Sequence, residues 1–422
     1  MMNKKSILIL LILISFSIIK AEKPKLFIGA IAHIGNGKVI ENSAISISNG
    51  VFNLIADASK IRIDPNAFDT IYRLDGKHIY PGFILPNTTL GITEIGAVRA
   101  THDYREVGNI NPNVRSLIAY NTDSKISKTV RTNGVLIAQA TPKGGIISGQ
   151  SSIMYLNGRN WEDAQIKADD GVHLNWPSSL YSTGWWAEPG VIKKNKDYYK
   201  KIEEIERVFN KAYAYFVSKS IIDLKMESLK GLFDGGKKLY IHSNKVNDLQ
   251  DAIAFVKKYK ITNPVIVGGE EAIKIKSLLR ENNIPVILNR THRLPISQDK
   301  AIDEPFKQAM ELKKADILFC LSYEGSMEAM GSRNLPFTAG TTIAYGQEYE
   351  DAIMSITLNA AKILGIDSIV GSIEKGKDAT FFISTGDALD MRSNNVEEAF
   401  IKGKPIDLNN HQKELYDKYK KR

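Results

Sequence analysis

A few histidines at the ends of apolar segments are the side chains best suited to chemistry in this chain. His242 directly follows the apolar run 239–241. His173 and Asn175 lie two residues apart, so in a strand both side chains would face the same way. An imidazole can ligate a metal or exchange a proton near neutral pH, and it can equally be a buried hydrogen-bonding group. The residue types alone leave these uses open.

Acidic and polar residues in two further segments could join such a site. They are Glu94, His102, Asp103 and Glu106 in one polar loop, and Glu324 and Glu328 after an apolar run. Carboxylates are ligands for hard cations, but they are also ordinary surface groups. The other four histidines, at positions 33, 78, 292 and 411, form no constellation with these residues.

Several other chemistries lack an essential residue. Segments 231–237 and 371–377 begin like phosphate-binding loops, but Lys238 and Asp378 stand where Ser or Thr would bind magnesium. Segment 149–152 lacks the flanking glycine of a nucleophile elbow. The single cysteine, Cys320, cannot form an intrachain disulfide, and its apolar surroundings are typical of a buried thiol.

The elements that must position these residues alternate in the middle of the chain. Amphipathic helical patterns at 248–259, 270–281 and 348–364 are interleaved with apolar segments at 238–242, 264–267, 285–288 and 315–321. This rhythm is typical of parallel βαβ units. Upstream, four more candidate strands lie at 82–85, 134–139, 146–155 and 172–176, although the last could equally be an irregular loop. Eight strands are the number that a closed β/α barrel requires.

The two ends of the chain are instead rich in short β segments. Before residue 80, the pairs Asn36-Gly37, Asn49-Gly50 and Asp75-Gly76 mark turns, and after residue 368 strands are predicted at 379–384 and 396–402. We therefore predict an α/β protein: a (β/α)8 TIM-type barrel over residues 81–367, inserted into a small composite β-sandwich domain of residues 22–80 and 368–408. Residues 409–422 are predicted to form a basic helix.

Residues 1–21 have the pattern of a secretory signal peptide. Lys4 and Lys5 precede the apolar run 7–19, and Ala21 ends the segment. The run is shorter than the ~20 residues that span a bilayer, so a retained anchor is the alternative. We expect an exported protein, periplasmic or secreted, with no membrane span after cleavage. Removing three lysines with the signal lowers the formal charge from +9 to +6. The remaining basic residues are not accompanied by aromatic residues that would form a nucleic-acid binding surface, so no nucleic-acid partner is expected.

Three stretches resemble the amidohydrolase superfamily, in particular its imidazolonepropionase-like branch. Segment 74–84 is similar to the lead-in to the first barrel strand, 357–366 to the last barrel helix, and 371–379 to the return into the β domain. The resemblance covers residues 28–404. It implies the barrel and composite domain, with chemistry at the C-terminal ends of the strands, and a hydrolase of non-peptide carbon–nitrogen bonds.

The resemblance also implies a set of metal ligands. The family has His-x-His after strand one, histidines after strands five and six, and an aspartate after strand eight. In this sequence Asn87 and Thr89 stand at the first pair, Gly268-Gly269 end strand six, and Tyr323 replaces the aspartate. Only His242, after strand five, is a family-type ligand. The predicted pocket residues are His242, Asn87, Thr89, Tyr323, His173 and Glu94, none with an assigned catalytic role.

Two functions follow. The first is a hydrolase with a degenerate, rearranged or single-metal site. The second is a non-catalytic barrel that binds a small molecule, or pairs with an active relative. Because an open metal site needs about three protein ligands, we expect no tightly bound metal; zinc or another divalent ion would require a rearranged site. Either a homo-oligomer or a pair with a related amidohydrolase is compatible with the sequence.

Overall fold

A computed structural model describes residues 23–185, 187–188, 190–218, 221–295, 299–325 and 328–420. The predicted signal segment, 1–21, lies outside these residues. In these ranges the strands are β1 (Lys25–Ile28), β2 (Ile31–His33), β3 (Val39–Ile40), β4 (Ser43–Ser48), β5 (Val51–Asp57), β6 (Thr70–Arg73), β7 (His78–Pro81), β8 (Phe83–Thr88), β9 (Val135–Ala140), β10 (Ile147–Tyr155), β11 (Gln165–Asn175), β12 (Leu180–Ser182), β13 (Ile192–Lys194), β14 (Lys238–Ser243), β15 (Pro264–Gly268), β16 (Val286–Leu288), β17 (Phe319–Leu321), β18 (Phe381–Ser384), β19 (Val396–Ile401) and β20 (Lys404–Pro405).

The helices lie mainly between the later barrel strands. The α-helices are α1 (Lys125–Arg131), α2 (Trp161–Ala164), α3 (Tyr198–Ser218), α4 (Leu224–Leu229), α5 (Gly231–Asp234), α6 (Val246–Lys258), α7 (Lys276–Glu281), α8 (Glu304–Lys314), α9 (Glu328–Gly331), α10 (Leu335–Ala344), α11 (Tyr349–Ser355), α12 (Leu358–Leu364) and α13 (His411–Tyr419). Short 3₁₀ turns occupy Ala58–Lys60, Pro65–Ala67, Arg99–Thr101, Ser116–Ala119, Ala272–Ile275 and Ser332–Asn334. None of the helices in the described ranges is long and apolar enough to cross a membrane.

The barrel is one eight-stranded sheet in the order β17-β16-β15-β14-β11-β10-β9-β8. The eight strands appear in chain order and include all eight predicted segments, so the predicted barrel is confirmed. The fourth strand, β11, is a regular strand of eleven residues rather than a loop. Apart from the half-buried first five residues of β11, the strands are almost entirely buried, as expected where helices cover a largely parallel sheet.

The third strand departs from a regular β/α barrel. β10 runs antiparallel to both β9 and β11. The other neighbouring barrel strands pair in parallel: β8 with β9, and β11, β14, β15, β16 and β17 in succession. Antiparallel neighbours need no helical crossover. The connections on either side of β10 are accordingly short, at residues 141–146 and 156–164, and the second holds only the four-residue helix α2.

One predicted helix is wrong as a single element. The pattern at 348–364 forms two helices, α11 and α12, separated at Ile356 and Thr357. The carbonyl of Ile356 accepts from the amide of Ile84, at the start of the barrel, at 2.8 Å. Thr357 has φ −131° and ψ −99°, outside the helical region. A tertiary hydrogen bond to β8 therefore competes with the helical pattern and interrupts it.

The two chain ends form one β domain beside the barrel. A six-stranded sheet has the order β20-β19-β18-β7-β2-β3, in which β18 from the C-terminal part pairs with β7 from the N-terminal part. A four-stranded sheet, β5-β4-β1-β6, packs on it through a shared core that includes Phe27, Ile45, Phe381 and Phe400. The composite domain predicted from both chain ends is therefore present.

Candidate functional site

The ends of β8 and β17 meet through side chains at the C-terminal mouth of the barrel. Asn87, fully buried near the end of β8, has a left-handed backbone with φ 52°. Its side-chain amide donates to Glu324 Oε2 at 2.6 Å, and its backbone amide donates to Gln139 Oε1 at 3.0 Å. The Asn87 Oδ1 atom is buried without a hydrogen-bond partner. This position therefore supports the seam between the first and last strands and leaves one acceptor free.

A second carboxylate, Glu328, binds the two residues that follow. Thr89 donates to Glu328 through its backbone amide, at 3.1 and 3.2 Å to the two oxygens, and through its hydroxyl at 2.9 Å. The hydroxyl of Thr88 also donates to Glu328. Since Glu328 is only 7% exposed, these donors compensate for the loss of water around its charge.

A lysine ammonium lies between these two glutamates. Lys143, in the loop between β9 and β10, has its Nζ 3.3 Å from Glu324 Oε1 and 3.5 Å from Glu328 Oε2. Burial alone would lower the pKa of Lys143, but the carboxylates of Glu328 and Glu324 raise it above its usual value. Burial likewise opposes ionisation of Glu324, but Lys143 and His242 hold its pKa below the usual range. Lys143 and Glu324 are therefore both charged at neutral pH.

Two histidines lie deeper in the same mouth. His173 Nδ1 is 2.9 Å from His242 Nε2, and His173 Nε2 is 2.8 Å from Ser151 Oγ. The His173 ring stacks on Tyr240 with 4.6 Å between centroids. Burial lowers the pKa of His242 to about 4 and, together with the neighbouring imidazole, lowers that of His173 well below its usual value. Both imidazoles are therefore neutral at pH 7.

A buried acid completes the network below the histidines. Asp170 accepts from the hydroxyl of Tyr240 at 2.6 Å, from Ser151 Oγ at 2.7 Å and from Gln139 Nε2 at 3.1 Å. Burial raises the pKa of the Asp170 carboxyl in spite of these donors. Gln139 also accepts from the Asn87 amide, so hydrogen bonds run without interruption from the mouth to the barrel interior.

If Asp170 is ionised, the hydrogen bonds assign one tautomer to the histidine pair. With Asp170 ionised, Ser151 donates to it and must accept from His173 Nε2–H. His173 Nδ1 is then an acceptor, and His242 carries its proton on Nε2. The free lone pair of His242 is on Nδ1.

The predicted pocket residues divide into two groups. Asn87, Thr89, His173 and His242 lie in or beside the network of Lys143 and its glutamates. Glu94 does not join them, because it lies in the loop after β8 and accepts from Asn121 at 3.0 Å. Tyr323 makes none of these contacts; its ring lies 5.7 Å from the guanidinium of Arg290.

The sequence did not mark several residues of the network as site residues, among them Gln139, Lys143, Ser151 and Asp170. Gln139 ends a predicted strand, and Lys143 follows shortly after it, so the rule that C-terminal strand ends carry function could have selected both. Asp170 lies within β11, but the predicted fourth strand began only at residue 172. Asp170 could have been predicted as a strand residue only if the strand had been started earlier, as β11 is at Gln165.

A cluster of typical metal-binding side chains does not occur in this part of the molecule. Among the described residues, no group of three or more His, Cys, Asp or Glu side chains is arranged to hold a metal ion. At the barrel mouth the two histidines contact each other, and each glutamate is paired with Lys143.

Comparison with known proteins finds a family match over part of the chain and a similar fold over nearly all of it. The model of the amidohydrolase family matches residues 271–406, which include the strands β16 and β17 and both glutamates. A crystal structure of an amidohydrolase from Thermotoga maritima MSB8 superposes with a TM-score of 0.76 at 24% sequence identity, over 91% of this chain and 99% of that one. The matched residues are fewer than half of the chain, and at 24% identity the structural likeness shows the fold alone.

Other amidohydrolase-like structures are more distant. An Xaa-Pro dipeptidase with bound methionine has a TM-score of 0.56 at 13% identity, over 91% of this chain and all of that one. An adenosine deaminase from Xanthomonas campestris with bound zinc has a TM-score of 0.53 at 14% identity, over 94% and 97% of the two chains. At these identities the likeness shows the fold alone. No curated protein matches the sequence.

Proposed function

We propose that this protein is a member of the amidohydrolase superfamily that acts as a binding protein, in which a lysine ammonium takes the place of the catalytic metal. The observation that carries the proposal is the position of Lys143, between Glu324 and Glu328 at the mouth of the barrel. A fixed monocation there compensates the carboxylates that would otherwise attract a divalent ion. It supplies neither a Lewis acid nor an activated water.

The donor set does not fit a family-type metal centre. Asn87 and Thr89 offer neutral oxygens, and Gly268 offers no side-chain donor. Glu324 and Glu328 are held by Lys143 together with Asn87 or the threonines. A dication in this mouth would have to displace the Lys143 ammonium, and two positive charges this close repel strongly in a partly buried site.

The charge and hydrogen bonding of the mouth favour a small polar ligand. Lys143, Glu324 and Glu328 together carry one net negative charge, while His242 is neutral. Asn87 Oδ1 is a buried acceptor without a partner, and the assigned tautomer leaves His242 Nδ1 as a second acceptor. Ligands that present N–H or O–H donors, with at most one positive charge, complement this surface.

A metal-dependent hydrolase of non-peptide carbon–nitrogen bonds is the second candidate. It is favoured by the superfamily and by the 2.9 Å approach of His173 and His242, two imidazoles of the kind that bind zinc. For this activity the Lys143 side chain would have to leave the two glutamates.

Elemental analysis after dialysis distinguishes the two candidates. We expect the wild-type protein to retain no stoichiometric zinc or manganese. Near-stoichiometric metal that disappears in His242→Ala would overturn the binding proposal and favour the hydrolase. Lys143→Ala provides a second measurement: without the ammonium, the paired carboxylates should gain affinity for divalent cations, whereas the control Lys128→Ala on helix α1 should not.

We also propose that the protein is exported. Lys4, Lys5 and the apolar run 7–19 support this. The mature chain is expected to begin near Glu22. Intact-mass measurement of the protein from its native host tests the proposal, and a mass that includes Met1 would contradict it.

A further inference from the structure

A basic cleft lies between the composite domain and the edge of the barrel remote from the mouth. It has a volume of about 1050 Å³ and is bordered by the chain start, the loop after β10 and the turn between β19 and β20. Tyr155, at the end of β10, forms part of its wall. Because β10 is antiparallel, its C-terminal end points away from the mouth where Lys143 lies.

The cleft contains five basic side chains and one carboxylate. The basic residues are Lys23, Lys25, Arg159, Lys402 and Lys404, and the acid is Asp163. Arg159 is bound to Asp163, with 2.5 Å between Nε and Oδ2. In the part of the chain that the structure describes, none of the four lysines has a carboxylate within ion-pair distance. With five basic residues and one acid, the lining has a formal net charge of +4.

Two of these lysines are held in place by neutral groups. Lys402 Nζ lies 4.8 Å from the centre of the Tyr155 ring. The ring is buried, and its hydroxyl donates to Asp378 at 2.5 Å, so the surface under Lys402 is fixed. Lys23 Nζ donates to the Asn66 carbonyl at 2.9 Å. A cation that is already positioned loses less side-chain entropy when an anion binds.

Backbone turns bring the remaining cations to the same place. Asn49-Gly50 and Lys402-Gly403 both have two successive positive φ angles, which is typical of two-residue hairpin turns. The turns touch each other: a Cβ on Gly403 would lie 3.2 Å from Gly50 Cα. This contact joins the turn that carries Lys402 and Lys404 to strand β4, which pairs with β1 and thereby with Lys25.

We propose that this cleft is a binding site for a polyanion that carries two or more phosphate groups, either free in solution or as lipid headgroups. Like charges gathered in a concave surface concentrate positive potential and attract multivalent anions. The cleft is separate from the barrel mouth, so the proposal does not depend on the function assigned there.

The test measures binding of two probes to the purified protein, by calorimetry for tripolyphosphate and by co-sedimentation for phosphatidylglycerol vesicles. The cleft variant is Lys402→Gln/Lys404→Gln. The matched control, Lys193→Gln/Lys194→Gln, removes the same charge from the exposed strand β13. We expect the Kd of the bound probe to rise about tenfold in the cleft variant, to change little in the control, and to rise with added salt.

The two probes separate the sources of phosphate. Tighter binding of tripolyphosphate supports a soluble ligand, and tighter binding of the vesicles, relative to phosphatidylcholine alone, supports a headgroup. Thermal denaturation establishes that each variant is folded. The proposal is overturned if neither probe binds the wild-type protein, or if both variants bind equally well.

Discussion

At the scale of single residues, the barrel mouth is organised around an ion-pair triad, Glu324–Lys143–Glu328. Each glutamate also receives hydrogen bonds, from Asn87 or from Thr88 and Thr89. Buried charges are tolerated when they are paired and hydrogen-bonded, and they become costly when one partner is removed. The triad should therefore contribute to stability mainly through the penalty for breaking it.

Lys143→Met should lower the free energy of unfolding by about 3–5 kcal/mol at pH 7, because it leaves two carboxylates unpaired in a buried site. Denaturant unfolding with a chelator present measures this without metal rescue. Adding Glu328→Gln should restore part of the loss, since one of the unpaired charges is then gone. If the stability losses of Lys143→Met and Glu328→Gln, each measured alone, simply add up in the double variant, the ion pair is not what supports the mouth.

The sequence predicted part of this mouth and missed its centre. The resemblance placed Asn87, Thr89 and His242 at strand ends, and these positions do surround the network. Lys143 was missed because it lies in a loop, where a lone lysine is normally a solvated surface group. Only the closure of the barrel, which brings β8 next to β17, shows that this lysine faces two glutamates distant in sequence.

At the scale of elements, single side chains decide where several segments begin or bend. Glu271, after β15, accepts from the backbone amide of Val246 at 3.0 Å, at the start of helix α6. It also binds Lys274 at 2.8 Å and Lys300 at 3.0 Å. Burial alone would raise the pKa of Glu271, but these three donors lower it to about 2.

Glu271→Gln should therefore show a pH-dependent loss of stability. The carboxyl titrates near 4.3 in the unfolded chain and about 2 in the fold, so its stabilisation is fully present above about pH 4.5 and is lost as the pH falls towards 2. We expect a deficit of about 1–3 kcal/mol at pH 7 that narrows below pH 4.5. The exposed Glu281→Gln is the control. A deficit independent of pH would mean that the charge is not what matters.

The antiparallel strand β10 depends on a glycine near its start. Gly149 has φ 139°, and a Cβ there would lie 2.7 Å from the carbonyl oxygen of Val114. Gly149→Ala should cost about 2–4 kcal/mol in a denaturant titration, from backbone strain plus this clash. Gly76→Ala provides the control, because φ is 77° and nothing lies within 4 Å; it should cost about 1 kcal/mol. Equal losses of stability in the two variants would show that the clash with the Val114 carbonyl does not contribute.

The types of most elements could be predicted, whereas their limits and directions could not. Apolar runs mark most of the barrel strands, because buried parallel strands are continuously hydrophobic. The same signal carries no information on direction, so the reversal of β10 was not foreseen. The helical pattern at 348–364 gave no sign of the break at Thr357, since that break depends on a hydrogen bond to Ile84 far away in the chain.

At the scale of the whole molecule, the composite domain ties the two chain ends together. β18 lies between β7 and β19, and Phe381, Phe382 and Phe400 are completely buried. Helix α13, at the very end, has no buried residue and is attached by contacts such as Gln412 with Thr129 at 2.9 Å. The two C-terminal segments should therefore differ sharply in their importance for folding.

Two truncations test this difference. Removing residues 411–422 should change the free energy of unfolding by no more than about 1 kcal/mol, because exposed segments contribute little. Removing residues 379–422 should abolish cooperative folding, because β7 loses one of its two neighbouring strands, β18, and the aromatic core of the composite domain opens to water. Thermal unfolding followed by circular dichroism measures both. A cooperative transition after the longer truncation would show that the N-terminal strands and the barrel fold without the C-terminal strands. The shorter truncation is the control for removing the end of the chain.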